Sequence, residues 1–238
     1  MVAVLIGEAI MFKSQEEIDE AFRERYKQRN GGQNKFIALD GIINSEKFEK
    51  ANPKILWVLK ESTYSDTPKD FNMRELLVQL SQHEFYQQCK KTFEDIVIVS
   101  YGIIKGKYLY SEIPEIEEIK SVLEEIAFIN IKKSPGGTKT YNPIISKHFG
   151  LDRDLLKAQI DYINPDLIIF AVGPIASPEL FKMMFGDSFE HIGGPIGRVN
   201  GKHKRNILCV NHPAAPANAK TYFDYIIELV KRIDEIKG

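Results

Sequence analysis

Cysteine is scarce in this chain. Two thiols in 238 residues, Cys89 and Cys209, exclude a disulfide framework and a four-thiolate metal or iron–sulfur site. So few thiols fit a reducing cytoplasm. An excess of charge of one sign is also missing. The 32 Lys and Arg against 33 Asp and Glu leave a formal net charge of −1. Nothing global therefore advertises a polyanion, and a nucleic acid would need a local basic patch. Long apolar runs are absent as well. The opening MVAVLIGEAIMF lacks a basic start, carries Glu8 and is too short to span a bilayer, so it reads neither as a signal peptide nor as a membrane anchor. No repeat, low-complexity tract or linker interrupts the chain. GGPIG is not a dinucleotide fingerprint, no Gly-x-Ser-x-Gly elbow surrounds Ser62, and His83, His148 and His191 show no close metal spacing. No metal or organic cofactor is expected.

What remains is ordinary globular composition, 43% hydrophobic and 27% charged. SQEEIDEAFRERYKQR reads as a helix with a serine cap, an acidic start and a basic end. Residues 46–51 read as a further turn. Ile55 to Leu59 is a continuous apolar run, the signature of a strand buried on both faces. AFINIKK, DLIIFAVG and NILCVN repeat that signature. Helical patterns lie between and after them at residues 71–91, 114–126, 152–165 and 177–185, and from 217 to 237. FEDIVIVSYGIIKG fits either a strand or a buried helix, and its context favours the helix. Residues 191–205 form a glycine-rich loop or hairpin, and its cationic part, RVNGKHKR, is either an exposed tip or an arm that tracks phosphates. Buried strands alternating with helices predict an α/β domain of three layers, α/β/α, around a four-stranded, mostly parallel sheet.

Ligands of such sheets bind beyond the carboxyl ends of the strands. The polar residues at those ends are Glu61 with Ser62, Asn130 with Lys132 and Lys133, Gly173 with Pro174, and Asn211 with His212. An acid, an amide, two cations and an imidazole are thus expected on one rim.

These residues resemble the motifs of the uracil-DNA glycosylase superfamily. KESTY (60–64) stands where the family has a strand followed by a loop, often Gly-Glu-Ala-Pro-Gly. DFNMRELL places Phe71 before a leucine-bearing helix. FINIKKSPGG carries Asn130, Lys132 and Pro135, DLIIFAVG is the apolar strand ending in glycine, and NHPAA matches His-Pro-Ser. The resemblance runs from about residue 52 to the C-terminus. It implies a glycosylase-like domain over 52–238, with residues 1–51 a helical extension packed on it. It also implies excision of uracil or a related damaged base from DNA, the base being flipped into a pocket at the carboxyl edge. Asn130 would read the base edge, Phe71 would stack on it, and His212 would donate to the base oxygen. Glu61 would assist attack on the sugar, with Ser62 beside it in the pocket. Lys132, Lys133 and the amides after Pro213, including that of Ala214, would face phosphates and form a local basic rim for DNA. The chain differs from the family at Lys60, where the family has glycine, at Thr63-Tyr64, and at Ala214, where the family has serine. No aliphatic wedge follows Pro216, and Tyr222 is a distant substitute. A non-catalytic relative that binds nucleic acid or nucleotide, and an enzyme of the same fold acting on another nucleobase compound, remain the alternatives.

Overall fold

The computed structural model describes residues 10–33, 36–62, 71–78, 84–136, 141–201, 204–215 and 218–237. Thr63, Tyr64, His83, His203 and Pro216 lie outside the described residues.

Helix α1 (Gln15–Arg29) begins where the Ser14 hydroxyl accepts the Glu17 amide, and it ends on Lys27 and Arg29. Strands β1 (Ala38–Leu39) and β2 (Gly41–Ile42) follow, then α2 (Ser45–Lys50). Next in the chain come β3 (Ile55–Glu61), β4 (Phe71–Asn72), α3 (Met73–Val78), α4 (Glu84–Ile104) and α5 (Ile116–Ile119), which runs into a 3-10 segment over Lys120–Glu125. The second half holds β5 (Ala127–Lys132), α6 (Asn142–Ile163), β6 (Leu167–Phe170) and α7 (Pro178–Phe185). It closes with β7 (Phe189–Gly193), β8 (Ile196–Val199), β9 (Arg205–Cys209) and α8 (Ala219–Lys237).

The chain is α/β, with one mixed sheet of seven strands in the order β2-β5-β3-β6-β9-β8-β7. Neighbours from β5 to β9 pair in parallel. The sheet is wider than the four strands expected, for two local reasons. The glycine-rich stretch folds as the β7–β8 hairpin and pairs β8 antiparallel with β9. Gly41–Ile42 adds an antiparallel edge to β5.

Strand β3 shows why both faces must be covered. Ile55, Trp57 and Leu59 enter one core with α4 and α8, while Leu56 and Val58 enter the other with α1, α6 and α7. Fully burying each such side chain contributes about 1.5–3 kcal/mol. Ile18, Phe22 and Tyr26 of α1 are buried in this second core, so the described part of the first 51 residues supplies core as well as a strand.

Three helical expectations shift. Phe71 lies on β4, not on a helix, because the Asn72 side chain accepts the Arg74 amide and starts α3 only at Met73. Helix α6 starts at Asn142, ten residues earlier than the pattern from Asp152 suggests. Gly150 costs the helix about 1 kcal/mol, and burial of Ile145 and Phe149 in the preceding turns offsets it. After Ile119 the chain tightens to 3-10 geometry over Lys120–Glu125, with Val122 and Leu123 buried. The ambiguous FEDIVIVSYGII is helical, as its context favoured.

The indole N–H of Trp57 donates to the Ser100 hydroxyl at 3.0 Å in a fully buried bond between β3 and α4. Ser100→Ala leaves that donor unsatisfied. The expected loss is about 1–3 kcal/mol of stability, read by denaturant titration on the fluorescence of Trp57, the single tryptophan.

Candidate functional site

After β3 the chain leads to β5 on one side. After β6 it leads to the hairpin and β9 on the other. In sheets of this kind such a reversal marks the edge, beyond the carboxyl ends of β3 and β6, where ligands are held. Lys60, Glu61 and Ser62 end β3, Gly173 and Pro174 follow β6, and Asn211 and His212 follow β9. The polar side chains around this edge are in different states.

On the β5 side the network is closed. Asp40, from the turn between β1 and β2, accepts the Asn130 backbone amide at 2.7 Å and the Asn130 side-chain amide at 3.4 Å. It also accepts Lys133 Nζ at 2.7 Å and Gln159 Nε2 at 3.1 Å. Lys133 Nζ donates to Gln159 Oε1 at 2.8 Å and sits 4.7 Å from the centre of the Phe22 ring. Burial pulls the Lys133 ammonium below the ordinary lysine range, against the opposing pull of Asp40. Lys133 is 1% exposed. The expectation that it faces phosphates is therefore corrected: its charge is spent inside the fold.

Lys132 is turned inward too. Its ammonium pairs with Glu61 and donates to the Ser134 and Pro135 carbonyls at 3.0 Å each. Gly136 packs against the Glu61 carboxylate so closely that a Cβ there would overlap it, and its amide donates to the buried Ser62 carbonyl at 2.8 Å. Glu61 is thus oriented by Lys132, not left open. Phe71 is buried, in the core cluster with Ala38 and Leu77.

The β9 tip is built as a platform. Tyr222 donates its hydroxyl to the Asn211 carbonyl at 2.8 Å, so this buried ring is a prop for the loop and not a wedge. Lys91 on α4 bridges Asp95 at 2.7 Å and the Pro213 carbonyl at 2.8 Å. The amides expected to face phosphates are used locally. Ala214 N–H donates to His212 Nδ1 at 3.1 Å, and Ala215 N–H donates to the His212 carbonyl at 2.8 Å.

That local bond fixes the chemistry of His212. An Nδ1 that accepts a hydrogen bond carries no proton, so the proton resides on Nε2. Burial, reinforced by the Lys60 and Lys91 cations, lowers the imidazole pKa from 6.5 to about 4. At neutral pH His212 is an uncharged ring whose Nε2–H is available as a donor. Lys60 Nζ meanwhile donates to Asn142 Oδ1 at 3.1 Å, at the start of α6.

A cavity of about 320 Å³ lies on the far flank of the β9 tip, lined by Gly173, Phe181, Phe189, Ile196, Asn211 and Tyr225 among others. Among the described residues no Asp, Glu, Lys or Arg lines it, and neither do Glu61, Asn130 or His212. The RVNGKHKR arm is at the opposite end of β9. Arg198 bonds Asn206, and Arg205 bonds Asp161 and Asn164. Both arginines are buried, so they add no charge to this rim. His148 bonds Tyr26, and His191 bonds the Gly194 carbonyl. Among the described residues no group of three or more His, Cys, Asp or Glu is placed to hold a metal, and no helix is long and apolar enough to cross a membrane.

Sequence reasoning missed Asp40, Gln159 and Lys91. Asp40-Gly41 reads as an ordinary turn, and Gln159 and Lys91 are single polar residues within helices. The one available signal was the apolar FIAL before Asp40, which marks an inward-facing segment.

Two expectations follow. Asp40→Ala strands a buried ammonium and three other donors and should cost about 3–5 kcal/mol. Lys133→Met leaves Asp40 its amide partners and should cost less, the two being compared by chemical denaturation. By NMR, the His212 ring should stay neutral down to about pH 4, with Lys60→Met and Lys91→Met each raising that value. The folded-state pKa lies below the unfolded one, so the unfolded chain binds more protons between the two. This residue's contribution to stability is therefore complete above pH 6.5 and declines as pH falls toward 4.

No family model matches the chain, and no curated protein matches it. The function of the site has to be read from its own geometry.

Proposed function

We propose that the protein is a DNA base-excision glycosylase that hydrolyses the N-glycosidic bond of uracil or a related damaged base. In this reading β5, β3, β6 and β9 are the sheet of a uracil-DNA glycosylase-like domain, and β2 and the hairpin are additions to it. The observation that carries the reading is the neutral His212 with its proton on Nε2. As a glycosidic bond breaks, negative charge collects on the departing base. A preorganised, uncharged N–H donor stabilises that charge without reorganising. Tyr222 and Lys91 hold the loop that presents it.

The other roles follow with conditions that the geometry sets. Asn130 reads a base edge by releasing its side-chain bond to Asp40, the longest contact in that network at 3.4 Å. Glu61 orients water with Lys132 as its counter-ion. Phosphate contact falls to Lys60 and Lys91, since Lys132 and Lys133 are committed inside.

A second reading, a non-catalytic relative that binds nucleic acid or nucleotide, has one observation in its favour. Asn130, Glu61, Lys132 and Lys133 all have internal partners.

The test is incubation with single- and double-stranded DNA carrying uracil, hypoxanthine or a G·T mismatch, followed by detection of abasic sites. Excision is expected, with His212→Ala slowing it by about 10²–10³-fold and Asn130→Ala reducing it as well. DNA binding without excision on any substrate selects the second reading. Absence of both rejects the glycosylase and the DNA-binding relative, and leaves nucleotide binding.

A further inference from the structure

The cavity of about 320 Å³ beside the β9 tip takes no part in the chemistry proposed for His212. Its frame is main chain. The Gly173 amide donates to the Val210 carbonyl at 3.0 Å and ties the end of β6 to the end of β9. The Cys209 amide donates to the Pro195 carbonyl at 2.9 Å and ties the β7–β8 turn to the same place. Two glycines make that frame possible. Gly173 takes a φ of +65°, in the left-handed region. A Cβ on Gly197 would stand 2.7 Å from the Phe189 ring, so bare backbone is what lets that ring pack against β8. The volume is at the lower end of the range for small-molecule pockets, about 300–1,000 Å³.

The lining sets the ligand. Among the described residues no Asp, Glu, Lys or Arg borders the cavity, so an ion entering it would lose water without meeting a counter-charge. Phe189 and Tyr225 supply aromatic wall, which suits a planar ring. Phe181 backs Phe189, their ring centroids 5.5 Å apart. Two polar side chains complete the lining. His191 Nε2 donates to the Gly194 carbonyl at 3.1 Å, which leaves Nδ1 an acceptor in the neutral ring. Asn211 has its backbone carbonyl taken by Tyr222, but its side-chain amide has no hydrogen-bond partner among the described residues. Its Oδ1 lies over Gly173, 3.6 Å from where a Cβ would stand. A primary amide offers a donor and an acceptor side by side. We propose that this cavity binds a free, uncharged nucleobase, its ring against Phe189 and Tyr225 and its hydrogen-bonding edge paired with the Asn211 amide. The site is separate from Glu61, Asn130 and His212, and it does not depend on the glycosylase reading.

The test is an NMR titration of the full chain with adenine, hypoxanthine and uracil, without DNA. Saturable shifts are expected at the Gly173, Gly194 and Gly197 amides and at the Asn211 side chain for at least one base. Asn211→Ala, which keeps the carbonyl bond to Tyr222, should weaken that binding about tenfold. Orotate, a uracil ring that carries a carboxylate, should bind about tenfold more weakly than uracil or not at all. The proposal is overturned by the absence of saturable shifts with every base, or by shifts centred on Asn130 in place of the cavity. Unchanged affinity in Asn211→Ala, equal affinity for orotate, or tighter binding of toluene than of any base overturns it as well. Mapping the wild-type chain makes the result independent of how the variant folds. None of these outcomes bears on base excision, which is decided on DNA substrates.

Discussion

The Asp40 carboxylate is the group on which the carboxyl edge depends. It is 2% exposed and takes donors from β5, from the residue after β5 and from α6. A carboxylate taken this far from water is costly unless charge and hydrogen bonds replace its hydration. Lys133 supplies the charge, and the amides of Asn130 and Gln159 complete the shell. The backbone confirms how tightly this corner is tied. The Lys133 amide donates to the Tyr26 hydroxyl at 3.0 Å, and the Ala38 amide donates to the Lys133 carbonyl at 2.8 Å. Residues from α1, the β1–β2 turn, β5 and α6 therefore stand or fall together.

This constraint decides what the edge offers a ligand. Composition alone allowed a rim of exposed lysines. The buried acids Asp40 and Glu61 draw Lys133 and Lys132 inward, because an ion pair in low dielectric outweighs a cation's contact with a distant phosphate. Among the described residues, Lys60 and Lys91 flank an imidazole that they help to keep neutral.

Much of the sheet was legible because burial on both faces leaves an unmistakable run: Ile55 to Leu59, Ala127 to Ile131, Leu167 to Phe170 and Ile207 to Leu208 are all strand. The caps of α1 and α7 were legible for the same local reason, a serine hydroxyl accepting an amide. The two-residue strands were not, since neither Ala38–Leu39 nor Gly41–Ile42 is long enough to show a period. That the strands carrying Glu61, Asn130 and His212 end at one edge follows from their parallel order, which sequence pattern supports. Their hydrogen-bond partners do not follow, because Asp40 and Lys91 reach the edge through tertiary packing from segments with no motif.

His212 shows how far a local rule reaches. Its neighbours in sequence, Pro213, Ala214 and Ala215, look like a loop chosen to present free amides. The same turn instead folds those amides back, one onto the ring and one onto its carbonyl. What the loop loses as an anion cradle it gains as a fixed tautomer, because a ring that must accept at Nδ1 has one place left for its proton. The group that acts on the ring is the backbone N–H of Ala214. That N–H makes His212 a donor pointing away from its own loop, and the surrounding cations and burial keep it uncharged.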